Sequence, residues 1–188
     1  MLVEMVVESV RVNLQTYHRV VVLKEKESDR HLPIWIGNNE ADAIVIQLQN
    51  VPVPRPQTHD LLKAVINELG AKVSRVVVSD LADDVFYARI MIDMDGRHVE
   101  IDSRPSDAIA LAVRVKSPIF VEDTVLEKAG VTLTAEGEPV EEQPKGQAPG
   151  RTGNVGNEEE ERKKLSPFVD FINELPGLDD LGNQHGQK

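Results

Sequence analysis

Apolar and polar residues alternate along most of the first two thirds of the chain, and stretches with helical spacing interrupt the alternation. Residues 2–14 (LVEMVVESVRVNL), 19–27 (RVVVLKEKE) and 32–36 (LPIWI) carry the valine-rich period of two that predicts strands. Residues 39–49 (NEADAIVIQLQ) put Ala41, Ile44, Val45 and Leu48 on one face of a helix. A proline-rich loop, VPVPRPQ, leads to a second helix, with Thr58 as its N-cap and Gly70 closing it. The plan then recurs. Strands are predicted over 72–79, 85–93 and 98–102, with a turn at Asp95–Gly96, and a helix over 105–115 opens on proline. A short strand at 119–121 and a short helix at 124–129 complete the pattern.

Sliding the chain by 65 residues superposes the two halves: Val12 on Val77, Val20 on Val85, Ile36 on Ile101, and Asp42-Ala43-Ile44 on Asp107-Ala108-Ile109. The inference is a β-β-β-α unit used twice, with the Thr58 helix between the copies. The expected fold class is α+β, a sheet covered by helices, occupying residues 1–134. Trp35, in an alternating strand, is expected in the core. Residues 135–157 are rich in Gly, Pro, Glu and Gln and read as a disordered linker. Residues 158–188 form an acidic tail in which Phe168, Phe171, Ile172 and Leu175 make one short amphipathic helix, suited to docking on a protein partner.

Composition narrows the chemistry. The 188 residues include no cysteine, which excludes disulfides, thiolate metal sites and a Cys nucleophile, and fits a reducing cytoplasm. Glu4 and Glu8 break up the start of the chain where a signal peptide needs an apolar run, and no segment has the length of a membrane helix. A soluble, cytoplasmic protein without a membrane partner is expected. Net charge is −11; residues 1–134 hold 15 basic and 20 acidic side chains, and residues 135–188 hold 6 and 12. No global basic footprint for nucleic acid exists, so any such contact needs a local patch or a metal ion that offsets the acids.

Two charged clusters stand at helix starts. In RPQTHDL, His59 suits a general base or metal ligand, Asp60 its orienting partner and Arg55 a phosphate clamp. Equally, Thr58 caps the helix, Asp60 complements its dipole and His59 is a surface residue. In IDSRPSD, Asp102 and Asp107 suit a divalent cation and Arg104 a phosphate oxygen. Equally, Asp102 or Ser103 caps the helix and Asp107 bonds to Arg104. Glu40, Asp80 and Tyr87 are further candidates, with turn, cap or core roles as their alternatives. Spacing alone does not choose.

Several segments together resemble the bifunctional nuclease domain family: LPIWIGNNEADAI (32–44), RPQTHDLL (55–62), VSDLADDVFYARI (78–90), VEIDSRPSDAIALAVR (99–114) and SPIFVEDTVLEKAG (117–130). The resemblance covers roughly residues 1–133. It implies a duplicated α+β domain, often a homo-oligomer, with nuclease activity on RNA and DNA as attributed to plant members. It supplies no settled catalytic assignment, and the tail lacks the UVR-type helical hairpin that ends some relatives. The leading expectation is a nuclease assisted by Mg²⁺ or Mn²⁺. Asp102 and Asp107 would hold the metal, His59 with Asp60 would activate water, and Arg55 and Arg104 would stabilise the transition state. The alternative is a non-catalytic oligomeric binding or regulatory module, and a third reading is a small-anion sensor using Arg55 and Arg104.

Overall fold

The computed structural model describes residues 1–12 and 18–132. The expected linker and tail helix lie outside the described residues. Three antiparallel strands open the chain, β1 (Leu2–Val12), β2 (Arg19–Glu25) and β3 (Arg30–Ile36), followed by α1 (Asn38–Leu48) and α2 (Thr58–Glu68). The second copy supplies β4 (Lys72–Ala82), β5 (Val85–Met94), β6 (Arg97–Ser103) and α3 (Pro105–Val115). β7 (Ile119–Glu122), α4 (Asp123–Ala129) and β8 (Val131–Thr132) close the domain.

The strands form one eight-stranded sheet in the order β6-β5-β4-β7-β1-β2-β3-β8. β7 is the seam between the two meanders. It runs parallel to β4, with Val76 opposite Ile119, and antiparallel to β1, with Met5 opposite Ile119. The α+β class and the duplication are therefore present as expected. The offset between copies differs in the helices: α1 begins at Asn38 and α3 at Pro105, 67 residues apart, which places Glu40 and Asp107 at the same third helical position. The hairpin between β2 and β3 has four intervening residues, whereas β5 and β6 are joined by Asp95 and Gly96 alone. The difference shifts the register. Both turn residues have positive φ (50° and 74°), the conformation of a tight two-residue hairpin that favours Asp-Gly.

The core is aliphatic. Val21, Leu23, Leu32, Ile34, Ile44, Val76, Val78, Ile109, Leu111 and Val121 are almost fully enclosed. Each such side chain contributes about 1.5–3 kcal/mol of burial free energy. α3 is buried on nearly all sides and packs against both α1 and α2, so the start of α3 meets the starts of the other two helices.

Three expectations need correction. Trp35 is 40% exposed; in β3 it points away from the face of Ile34, and its ring stands edge-on to His18 at 5.7 Å. Gln57, not Thr58, is the N-cap of α2. Arg104, not Asp102 or Ser103, is the N-cap of α3, because the strand continues through Ser103. The two-residue β8 was too short for periodicity to reveal.

Candidate functional site

His59, Arg104, Asp107 and Glu40 converge although they lie far apart in sequence. His59 is the second residue of α2 and is buried. Its Nε2 lies 3.2 Å from Asp107 Oδ1. A carboxylate there accepts the Nε2 proton, which leaves Nδ1 as the basic nitrogen. Nδ1 has no hydrogen-bond partner among the described residues.

Asp107 is itself held from the other side. Arg104 Nε donates to Asp107 Oδ2 at 2.7 Å, and Arg104 Nη2 donates to Asp107 Oδ1 at 3.0 Å. Burial alone would raise the Asp107 pKa, but hydrogen bonds from Arg104 and then His59 outweigh it, and the carboxyl stays below its ordinary range. Arg104 also donates to Glu40 Oε1 at 3.0 Å. These hydrogen bonds and the charge of Asp107 raise its own pKa, so it is a permanent cation. Its Nη1 protons have no partner among the described residues, and the side chain is 66% exposed. Gly37 gives Glu40 room to fold back over the α1 start, since a Cβ at 37 would collide with Glu40 Oε2.

The cluster thus joins the first turns of three helices. Glu40 is third in α1, His59 second in α2, and Arg104 and Asp107 are cap and third residue of α3. Helix N-termini carry unpaired N–H groups and partial positive charge, which favours anions.

Asp60 is not the partner of His59. Successive helical side chains point about 100° apart, and Asp60 faces a second, separate cluster. Arg114, 4% exposed as a residue, donates from Nε to Asp60 Oδ1 at 2.7 Å, from Nη2 to Gln57 Oε1 at 2.8 Å and from Nη1 to the Ala110 carbonyl at 2.8 Å. Asp60 also accepts from the Gln57 backbone N–H at 2.8 Å and so ties down the helix start. Burial raises the Asp60 pKa, while the bonds from Gln57 and Arg114 lower it further, and the net direction is down.

Arg55 sits on the exposed proline-rich loop, at the rim of a hollow of about 360 Å³ whose lining includes Asp60 and Arg114. Asp102 is exposed on β6, opposite Arg89, and has no ion pair among the described residues. Asp80 is paired with Lys128 at 3.7 Å, and Tyr87 is exposed on β5. Arg114, Gln57 and the role of Glu40 went unseen in the sequence reading. The available signal for Arg114 was a lone charge in the apolar run IALAVRV. Among the described residues, no group of three or more His, Asp or Glu side chains is arranged to hold a metal ion.

Residues 21–134 match the family model described as the bifunctional nuclease domain. The chain belongs to that family. An uncharacterized protein of Mycobacterium tuberculosis is 37% identical over 169 residues, covering 90% of this chain and 94% of the relative. Bifunctional nuclease 1 of Oryza sativa subsp. japonica is 30% identical over 120 residues, 62% of this chain and 36% of its own length. Bifunctional nuclease 1 of Arabidopsis thaliana is 29% identical over 124 residues, 64% of this chain and 38% of its own. The chain thus spans little more than a third of the plant relatives. No helix among the described residues is long and apolar enough to cross a membrane.

Proposed function

We propose that this protein hydrolyses phosphodiester bonds of RNA and DNA, in the cytoplasm and as a homo-oligomer, at the meeting point of the α1, α2 and α3 starts. The observation that carries the reading is the His59–Asp107–Arg104 chain, in a member of a nuclease-named family. His59 Nδ1 takes a proton from the attacking hydroxyl, a water or the ribose 2′-OH. Asp107 fixes the tautomer and stabilises the imidazolium that forms. The Nη1 protons of Arg104 and the helix-start N–H groups meet the charge that develops on phosphate oxygens. Asp60 and Arg114 hold the α2 start that carries His59.

Charge supplies a condition. Glu40 and Asp107 set two negative charges against the single Arg104. A divalent cation arriving with the substrate, near Asp107 or the exposed Asp102, would offset that excess. The donor groups do not form a ready-made metal site, so no step is assigned to Mg²⁺ or Mn²⁺.

The same charge count favours a second reading, a non-catalytic binding module in which Arg104 is only an intramolecular clamp. One assay separates them. The purified chain and its His59→Ala and Asp107→Asn variants are incubated with single-stranded RNA and DNA, each with Mg²⁺, Mn²⁺ or EDTA. Loss of cleavage in both variants supports the nuclease. Equal cleavage by all three proteins identifies a contaminating enzyme and supports the module.

A further inference from the structure

Cleavage at His59 leaves unused the hollow of about 360 Å³ beside the proline-rich loop. Its walls are apolar, built from the side chains of Val51 and Val53 and the rings of Pro54 and Pro56. Val51 and Val53 are 45% and 39% exposed, so these walls face solvent rather than core. Proline fixes φ, and the loop VPVPRPQ therefore has little left to order when a ligand arrives. The deeper lining is polar. Arg114 and Asp60 neutralise each other there. Arg114 has only donors, so its bond to Gln57 Oε1 fixes which way the Gln57 amide points. Both Nε2 protons of Gln57 are then left without a partner among the described residues, and Oε1 keeps a second lone pair. A donor thus stands next to an acceptor in an apolar slot. At the rim, Arg55 is exposed and has neither an ion pair nor a hydrogen bond among the described residues. Its charge is the uncompensated one in the lining, in a chain of net charge −11.

We propose that this hollow holds one nucleobase of a single-stranded substrate, with that nucleotide's phosphate on Arg55. A base has two apolar faces and an edge on which donors and acceptors adjoin. The faces match the valine and proline walls, and the edge matches the Gln57 amide, a side chain that can bond to a base through donor and acceptor together. The volume lies near the lower end of the range for small-molecule sites, about 300–1,000 Å³, which suits a base and not a duplex. The base must be unstacked to enter, so the strand is single. Gln57 caps the helix start that carries His59, and the base held here belongs to a nucleotide flanking the phosphate attacked at His59. That last step rests on the nuclease reading; binding in the hollow does not.

The test follows amide chemical shifts of the full chain by NMR during titration with adenosine monophosphate, cytidine monophosphate or ribose 5-phosphate. Wild type, Arg55→Ala and Val53→Asp are compared, with circular dichroism to confirm that each is folded. The expected result is that the nucleotides shift residues 51–57, bind at least about tenfold tighter than ribose 5-phosphate, and weaken at least about tenfold in either variant. Ribose 5-phosphate binding as tightly as the nucleotides marks a bare anion site and overturns the proposal. So does an absence of binding at millimolar nucleotide, or shifts confined to the surroundings of Arg104 and Asp107. Cleavage of single-stranded RNA separates this proposal from the nuclease reading. Nucleotide binding in the hollow without any wild-type cleavage removes the nuclease and leaves the base site. Cleavage whose KM is unmoved by Val53→Asp keeps the nuclease and removes the base site.

Discussion

Arg114–Asp60 and Arg104–Asp107 are the same two residue types at the same 2.7 Å, and they sit in opposite surroundings. The Arg114 side chain is 2% exposed, and its donors are taken by Asp60, Gln57 and a carbonyl; the Arg104 side chain is 66% exposed and keeps donors open. The first pair closes a helix start against α3. The second pair leaves a cation at the surface and a polarised, largely buried histidine beside it. Identity of contact thus says little about role; what each group has left over after its internal bonds says more.

The sharpest way to break that contrast is to remove one partner of each pair. Asp60→Ala strips the cap and strands a buried guanidinium, and we expect a loss of about 3–5 kcal/mol in urea unfolding. Arg104→Ala, in the exposed pair, should change stability by no more than about 1 kcal/mol in the same experiment. A larger loss at Arg104 than at Asp60 would invert the assignment. Combining Asp60→Asn with Arg114→Met should recover much of the single-variant loss, since no unpaired charge then stays buried.

Activity divides the pairs the other way. His59→Ala should lower cleavage about 10²–10⁴-fold, the usual contribution of a general base, while the unfolding midpoint moves little. A smaller structural effect comes from Gly37→Ala, which pushes Glu40 off Arg104; a reduced nuclease rate with unchanged fold would place Glu40 among the positioning residues.

Acid titration tests both pairs at once. Asp60 and Asp107 have folded pKa values below their ordinary ones, so the unfolded chain binds more protons in acid. Their stabilisation is complete above the unfolded value, about 4, and is lost as pH falls through the folded values. Stability should be flat from neutral pH down to about 5 and decline below about 4. Arg114→Met should flatten the acid limb by releasing Asp60.

The sequence made the strands and helices visible because period two and period 3.6 are local properties. It also flagged His59, Arg104 and Asp107 as residue types. It offered the Arg104–Asp107 bond as one alternative but could not join His59 to it, since His59 and Asp107 are 48 positions apart and only the packing of α2 across α3 joins them. The adjacent Asp60 was the natural guess as partner, and helical geometry turns it away. Arg114 stayed hidden because a charge in an apolar helix reads as surface until a neighbouring helix covers it. Trp35 failed for the converse reason: alternation locates a strand but does not say which face is covered.

The most direct measurement compares nucleic-acid cleavage by Asp107→Asn and Asp60→Asn, each expressed per folded molecule. We expect Asp107→Asn to lose at least about a hundredfold while remaining folded, and Asp60→Asn to keep the wild-type rate in whatever fraction is folded. Full activity in Asp107→Asn, with loss in folded Asp60→Asn, would contradict the account.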